Sequence, residues 1–317
     1  MSDLLARRLP ARGAFEEVWF IEGSLDAERA FWLRYSLART GSGPLEATVW
    51  AVAVEGDLVQ AARESIATDP AGDALVRTPF GTLTGQRATG RIGALQWDLG
   101  LDARSGHDHV PETLARLGLT GRHYASPGLD LRVTGSLAIG DISLSLHDAP
   151  AVLGHIWGAR ATTRAWAWSH CSAFELHPDA RFEALSAQLT LGPVTLPWAT
   201  SAVVEVYGKR FAFTRTRTLF RARSKVGERD WYLDAESDGA RLRAAVKLGA
   251  PEHVARIGLT HVNGRRTRVR NSPLSTLRVQ LVHPDVGDVH LRSHRACLEL
   301  AKAEDASEGE FAPHLGF

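Results

Sequence analysis

The sequence predicts an all-β protein made of two antiparallel β-barrels packed side by side, with very little helix. Three observations carry that expectation. Apolar and polar residues alternate over strand-length runs along most of the 317 residues, the period that sends successive side chains to opposite faces of a strand. Turn-forming Gly, Pro, Asp and Ser separate the runs at short intervals, without the strand–helix alternation of a parallel sheet. Nine Trp stand beside four Tyr and one Met, and they fall in alternating runs that suit a pleated surface.

In chain order, Phe15–Ile21 (FEEVWFI), Ala30–Leu37 (AFWLRYSL) and Leu45–Glu55 (LEATVWAVAVE) read as an antiparallel meander, turned by GSLDAE and ARTGSGP. Ser65–Gly90 is less regular, and the period of two resumes at Arg91–Leu99. Asp102–Pro111 reads as a polar loop. Pro111–Gly118 (PETLARLG) is the one helix-like segment, opened by Pro and closed by Gly. Strands follow at Leu129–Leu137 and Asp141–His147 across a turn at Ala138–Gly140, and then comes the Trp- and His-rich run Gly154–Phe174. After the loop His177–Ala180, strands are expected at Phe182–Leu191, Ser201–Tyr207, Phe211–Thr216, Asp230–Ala235, Arg241–Lys247, His253–His261, Leu277–His283 and Val289–Leu300. The total, about eighteen, exceeds the ~10 strands that an open twisted sheet tolerates. Two closed or nearly closed barrels, an N-terminal domain over residues 1–178 and a C-terminal one over 179–317, protect edges better than one large sandwich.

Composition excludes several classes. Lys+Arg 37 against Asp+Glu 36 leaves a net charge of +1, so no nucleic acid or other polyanion is expected as a partner. The longest apolar runs, such as Ala47–Val54, fall far short of the ~20 residues that cross a bilayer. No transmembrane segment is expected, and peripheral contact with a membrane is left open. The opening MSDLLARRLPARG lacks the apolar core and cleavage site of a secretory signal, which makes the cytoplasm the expected compartment. Cys171 and Cys297 are too far apart for a CxxC pair or a zinc knuckle. The pieces GSGP and GTLTG follow no strand-to-helix junction and carry no phosphate-loop Lys, so no cofactor is expected. His107-Asp108-His109 has the look of a metal pair but no third ligand at a recognised spacing, so no metal is expected. Arg265–Arg270 reads as a solvated hairpin tip. Oligomeric state is not legible.

The densest cluster of chemistry-bearing residues is GHIWGAR (154–160) followed by RAWAWSHC (164–171). Residues two apart on a strand share a face, so Trp166, Trp168 and His170 line one side and Ala165, Ala167, Ser169 and Cys171 the other. His155 and Trp157 share a face of the preceding strand, and a short turn near Thr162 would set the two strands antiparallel. The product would be a wall of indole and imidazole. Such a wall suits an apolar ligand, since imidazole transfers protons near neutral pH and indole faces stabilise a developing cation. His155 and His170 are therefore the candidate catalytic residues. Trp157, Arg160, Trp166 and Trp168 are candidate ligand-binding residues, joined by Trp32 and by Arg34, an inward charge at a barrel mouth. Glu299, which interrupts an apolar final strand, reads the same way, and for both charges the stronger expectation is an outward, solvated side chain. The competing expectation is a barrel core with two hydrogen-bonded histidines.

GHIWG, followed about eight residues later by WAW, is similar to the G-x-x-WG with paired tryptophans of tocopherol cyclase-like and carotenoid hydratase-like proteins, two-lobed relatives of the lipocalin and calycin class. EVWFIEG with FWLRYSL resembles the first barrel hairpin of that group, and THVNG with LRSHRACLEL resembles its last strands. The resemblance covers head, middle and tail. It implies a pair of lipocalin-like barrels with a ligand site where they meet, and cyclisation or hydration of isoprenoid double bonds. The chain departs from the hydratase-like pattern in having His155 and Arg160 around the WG, where an acidic residue is often found.

Two functions fit these residues. One is an enzyme acting on an isoprenoid or similar lipid, with His155 or His170 as acid or base; the other is a non-catalytic carrier or sensor using the same hydrophobic small-molecule site. A carbohydrate-active sandwich would pair its tryptophans with carboxylates, and no paired acids accompany the tryptophans along the sequence.

Overall fold

The computed structural model of the chain describes residues 2–68, 72–116, 120–159, 162–191 and 194–304. Its first sheet holds β1 (Phe15–Ser24), β2 (Arg29–Arg39), β3 (Leu45–Glu55), β4 (Leu58–Ala67), β5 (Val76–Arg77), β6 (Gly81–Leu83), β7 (Arg87–Ile92), β8 (Leu95–Asp108), β9 (His123–Ile139) and β10 (Ile142–Gly158). The second holds β11 (Thr163–Cys171), β12 (Arg181–Leu191), β13 (Val194–Val206), β14 (Lys209–Ala212), β15 (Arg223–Val226), β16 (Asp230–Ser237), β17 (Ala240–Lys247), β18 (Ala255–Thr260), β19 (Arg266–His283) and β20 (Gly287–Ala303). Helix is confined to α1 (Ser2–Leu5), α2 (Glu112–Arg116), α3 (Thr216–Arg221) and a 3₁₀ turn at Pro251–His253. The all-β class and the pair of antiparallel, lipocalin-like barrels are the architecture observed.

Both sheets close the same way in the middle. In the first, β1 pairs with β10; in the second, β11 pairs with β20, so that each sheet joins its first strand to its last. The change of sheet falls between Gly158 and Thr163, and β11, although it precedes residue 178, is a strand of the second barrel.

Several local expectations are corrected. Asp102–Pro111 is no loop for most of its length: β8 runs on to Asp108, paired with β9 through a register shift near Ser105. The polar residues there misled because, although Asp102 and Arg104 are exposed, Ser105 and His109 bond to Glu205, Ser201 and Glu183 of the second barrel rather than to water. The strands after it are also longer than expected, since β9 and β10 each run 17 residues by absorbing bulges, one of them beside Asp148 at φ 52. A bulge adds a residue and breaks the alternation by which a strand is recognised. The strand expected at Phe211–Thr216 stops at Ala212 and gives way to α3. The expected helix is α2, whose last expected positions, 117 and 118, lie outside the described residues.

Each barrel is filled by its own side chains. Trp19, Tyr35 and Trp97 are completely or almost completely buried in the first, where Trp97 donates its indole N–H to Tyr35 Oη at 2.6 Å. Trp231, Phe182 and Phe213 fill the second. Emptying any one of these positions to Ala would cost about 3–5 kcal/mol. A third apolar cluster, containing Phe20, Trp32, Trp50, Trp168, Ile257 and Val269, lies where the outer faces of the barrels meet.

Candidate functional site

Strand alternation decides which residues reach that seam. On β1, Trp19 and Ile21 belong to the first barrel's interior, whereas Phe20 belongs to the seam. On β11, Ala167 and Cys171 face the second barrel's interior, and Trp166 and Trp168 face outward. Phe20 stacks on Tyr124 at 6.3 Å and meets Trp168 edge-on at 5.2 Å. Between the barrels lies a cavity of about 210 Å³ walled by Phe20, Trp32, Tyr124, Trp166, Trp168 and Leu185, with Leu114 of α2 and Phe220 of α3 also on its lining. Polar side chains share this lining, among them Arg34, His109, Arg122, His123, Ser201 and Glu299. A mostly apolar cavity with a few convergent polar groups is the usual form of a small-molecule site.

Two buried glutamates anchor the two tryptophans. Glu183 of β12 is inaccessible to solvent. Its Oε1 accepts hydrogen bonds from Trp168 Nε1 at 2.8 Å, Ser126 Oγ at 2.7 Å and the Tyr124 hydroxyl. Its Oε2 accepts from His109 Nε2 at 2.9 Å. With Nε2 donating, Nδ1 of a neutral His109 is the acceptor for the Ser201 hydroxyl, 2.9 Å away. Burial by itself would raise the Glu183 carboxyl; its interaction with and hydrogen bond from His109, together with His170 and Tyr124, outweigh burial and hold it at about 2. His107, edge-on to His109 at 4.6 Å, is pushed down to about 3 by burial and by His109.

Glu299 of β20 is the opposite case. Its Oε1 accepts from Trp166 Nε1 at 2.5 Å, but burial dominates and lifts its carboxyl above the ordinary range despite that bond and nearby Arg34. Arg34 pairs with Glu16 at 3.1 Å, and the other Glu16 oxygen binds Arg122. His261 Nδ1 lies 3.0 Å from Arg122 and 3.4 Å from Glu16, and its Nε2 lies 3.0 Å from the Thr267 hydroxyl.

The nominated residues divide. Trp32, Arg34, Trp166 and Trp168 line the cavity. His170 is buried behind it, its Nε2 donating to the Leu129 carbonyl at 2.9 Å, and burial lowers its pKa. His155 and Trp157 are elsewhere: β10 pairs with β1 and β9, not with β11, so the hairpin expected near Thr162 does not form. The reason is topological, because the chain changes sheets at that turn. His155 stacks on Trp19 at 4.8 Å, with Nε2 on Glu17 at 3.0 Å and Nδ1 on the Leu4 carbonyl at 2.7 Å. Trp157 stacks on His123 at 4.2 Å beneath Arg8. Arg160 lies outside the described residues. The acids missing from the neighbourhood of the tryptophans in sequence are supplied from other strands, Glu183 and Glu299. His109, set aside as a failed metal pair, joins the first of them; among the described residues no cluster could hold a metal ion.

No protein-family model and no curated protein matches the chain. Solved structures do. CghA in complex with Sch210972 aligns with a TM-score of 0.61 at 11% identity, covering 97% of each chain. A protein of Nitrosomonas europaea described as an AttH gives 0.55 at 11% identity, over 93% of this chain and 98% of that one. Kievitone hydratase of Nectria haematococca gives 0.52 at 9%, over 92% and 89%. The likeness at these identities is one of fold, and it spans both barrels. Among the described residues no helix is long and apolar enough to cross a membrane.

Proposed function

We propose that the chain binds a hydrophobic small molecule, isoprenoid or lipid-like, in the cavity between its barrels and carries out proton-assisted hydration, cyclisation or isomerisation at a carbon–carbon double bond. The observation that carries this reading is the pairing, in one aromatic cavity, of a carboxyl whose pKa burial raises, Glu299, with an imidazole hydrogen-bonded to a buried carboxylate, His109 on Glu183. Two carboxyls whose environments push their pKa values apart are the usual mark of acid and base roles. Glu299 delivers a proton to the double bond. The cation that develops is stabilised by indole faces such as those of Trp32, Trp166 and Trp168, effective within about 6 Å. A proton lost from attacking water or from a neighbouring carbon goes to His109 Nδ1, with Ser201 as the intervening hydroxyl.

Proton transfer is thus assigned to Glu299 and His109 in preference to His155, which is packed in the first barrel, and His170, whose Nε2 is occupied by a carbonyl. The sequence resemblance to cyclase-like and hydratase-like proteins supports the reading, as do a neighbour in fold named a hydratase and another crystallised with a small molecule.

Deuterium uptake tests it. Incubated in D₂O with isoprenoid alkenes, the parent should incorporate deuterium at the alkene carbon, and Glu299→Gln should lose this by about a hundredfold or more, within the ~10²–10⁴ range of general-acid contributions. Binding without exchange in the parent would establish the carrier reading instead. Equal exchange in Glu299→Gln would remove that residue from the mechanism.

A further inference from the structure

The charges beside the cavity do not balance. Arg34 and Arg122 both line it, and the carboxylate they share is that of Glu16. The groups facing Arg34 are Glu16, Glu299, Arg122 and Arg63, and Arg63 is exposed and lies over Trp50 at 4.9 Å. Glu16 stays ionised, at about 2, because the two guanidiniums and His261 outweigh its burial. Glu299 is driven toward its neutral form and His261 likewise. One buried guanidinium, Arg34, and one half-buried, Arg122, therefore face one buried carboxylate. A net charge left in a low-dielectric setting is costly unless something compensates it.

Hydrogen bonding points the same way. Arg34 is only 8% exposed, and its Nε–H is buried with no acceptor among the described residues. Buried donors are nearly always satisfied, and an orphan on a side chain that lines a cavity marks a place where a ligand atom completes the set. A guanidinium suits an oxygen anion, which it can bind through two parallel N–H groups.

We infer that the ligand is an amphipathic oxygen anion, with a carboxylate, enolate or phenolate end held by Arg34 and Arg122 and an apolar body against Trp32, Trp166 and Trp168. This deepens the proposed function and rests on its reading of the cavity as the ligand site. The two guanidiniums fix which end of the ligand points to the Glu16 side, and the rest of the molecule then runs along the aromatic wall past Glu299.

Matched acid and alcohol pairs separate this inference from the reading beneath it. Tryptophan fluorescence of the intact chain is titrated with geranic acid and geraniol, decanoic acid and decanol, and cinnamic acid and cinnamyl alcohol near neutral pH. At least one acid should bind about tenfold or more tighter than its alcohol, and Arg34→Gln should remove that preference. Arg34→Lys, which keeps the charge but lacks the Nε–H and the planar fork, should retain part of it. Acids and alcohols binding equally well to the parent would overturn the anion inference and leave the apolar site standing. No binding by any of the six would overturn both. The parent comparison decides the matter even if the Arg34 variants do not fold.

Discussion

Trp168 donates its indole N–H to Glu183 Oε1 at 2.8 Å, across neighbouring strands of the second barrel. Trp166, two residues earlier, does the same to Glu299 on the strand at its other side. The two cavity tryptophans of β11 are therefore held by carboxyls whose pKa values are shifted in opposite directions, Glu183 down and Glu299 up, and this contrast underlies the chemistry proposed above.

Removing the ionised partner should be expensive. Glu183→Gln leaves several donors and His109 without the carboxylate they surround, at a cost of about 3–5 kcal/mol, as for other broken buried pairs. The Glu183 carboxyl lies at about 2, below its ordinary 4.5. Its stabilisation is thus fully present above pH ~4.5 and is lost as the pH falls toward ~2. Acid titrations of parent and variant, followed by circular dichroism, should show a shallower loss of stability across that window in the variant.

Glu22 should act in the opposite direction. Burial, reinforced by Glu299 and opposed by Asn271, raises its carboxyl to about 8. Between pH ~4.5 and ~8 the folded chain retains a proton that the unfolded chain has released, so stability contributed by this group falls as the pH rises. Glu22→Gln cannot titrate. Its melting temperature should change less between about pH 5 and pH 8.5 than the parent's, and parallel slopes would show that Glu22 is already ionised in the fold.

The two nominated wall halves should respond differently to conservative change. Trp168→Phe keeps an aromatic ring but loses the fused second ring and its N–H, so it should melt within a few degrees of the parent while ligand affinity falls about tenfold, ~1.4 kcal/mol. His155→Gln breaks contacts to Glu17 and to the Leu4 carbonyl inside the first barrel. It should lose about 1–3 kcal/mol of stability and leave affinity unchanged. Calorimetric melts paired with fluorescence titrations measure both quantities.

Gly154 should tolerate no side chain. A Cβ there would sit 2.2 Å from Phe20 Cζ, and that ring is packed against Tyr124 and Trp168. Gly154→Ala must push Phe20 toward the cavity, costing about 1–3 kcal/mol as overpacking does, and should weaken ligand binding, read by the same titrations.

The thiols should be inert. Cys171 and Cys297 are both free and buried, and burial raises the Cys171 thiol to about 11. Reducing agent should leave the melting temperature unchanged, and alkylation should require unfolding.

What the sequence determined by itself is the all-β class, the approximate place of most strands and the sidedness of single strands. The period of two carries all three, since it is a local property: Trp166 and Trp168 share a face opposite Ala167 and Cys171 because consecutive strand residues cannot do otherwise. Arg34 and Glu299 stood out as charges in apolar strands, to be read as inward at a barrel mouth or outward into solvent; both are turned outward from their own barrels, and it is the other barrel that covers them. Which faces meet was decided only by the tertiary structure. His155 and Trp168 lie thirteen residues apart in chain number yet serve different barrels, because the turn between their strands changes sheets. Glu183 on β12, Tyr124 on β9 and His109 just after β8 are distant in sequence and converge through the outer-face contact of the two sheets. His109 follows a bulged strand and reads as solvated until the second barrel covers it. Periodicity records that a residue is turned outward from its own sheet. Only the packing of a second sheet against that face determines whether outward means water or the wall of a cavity.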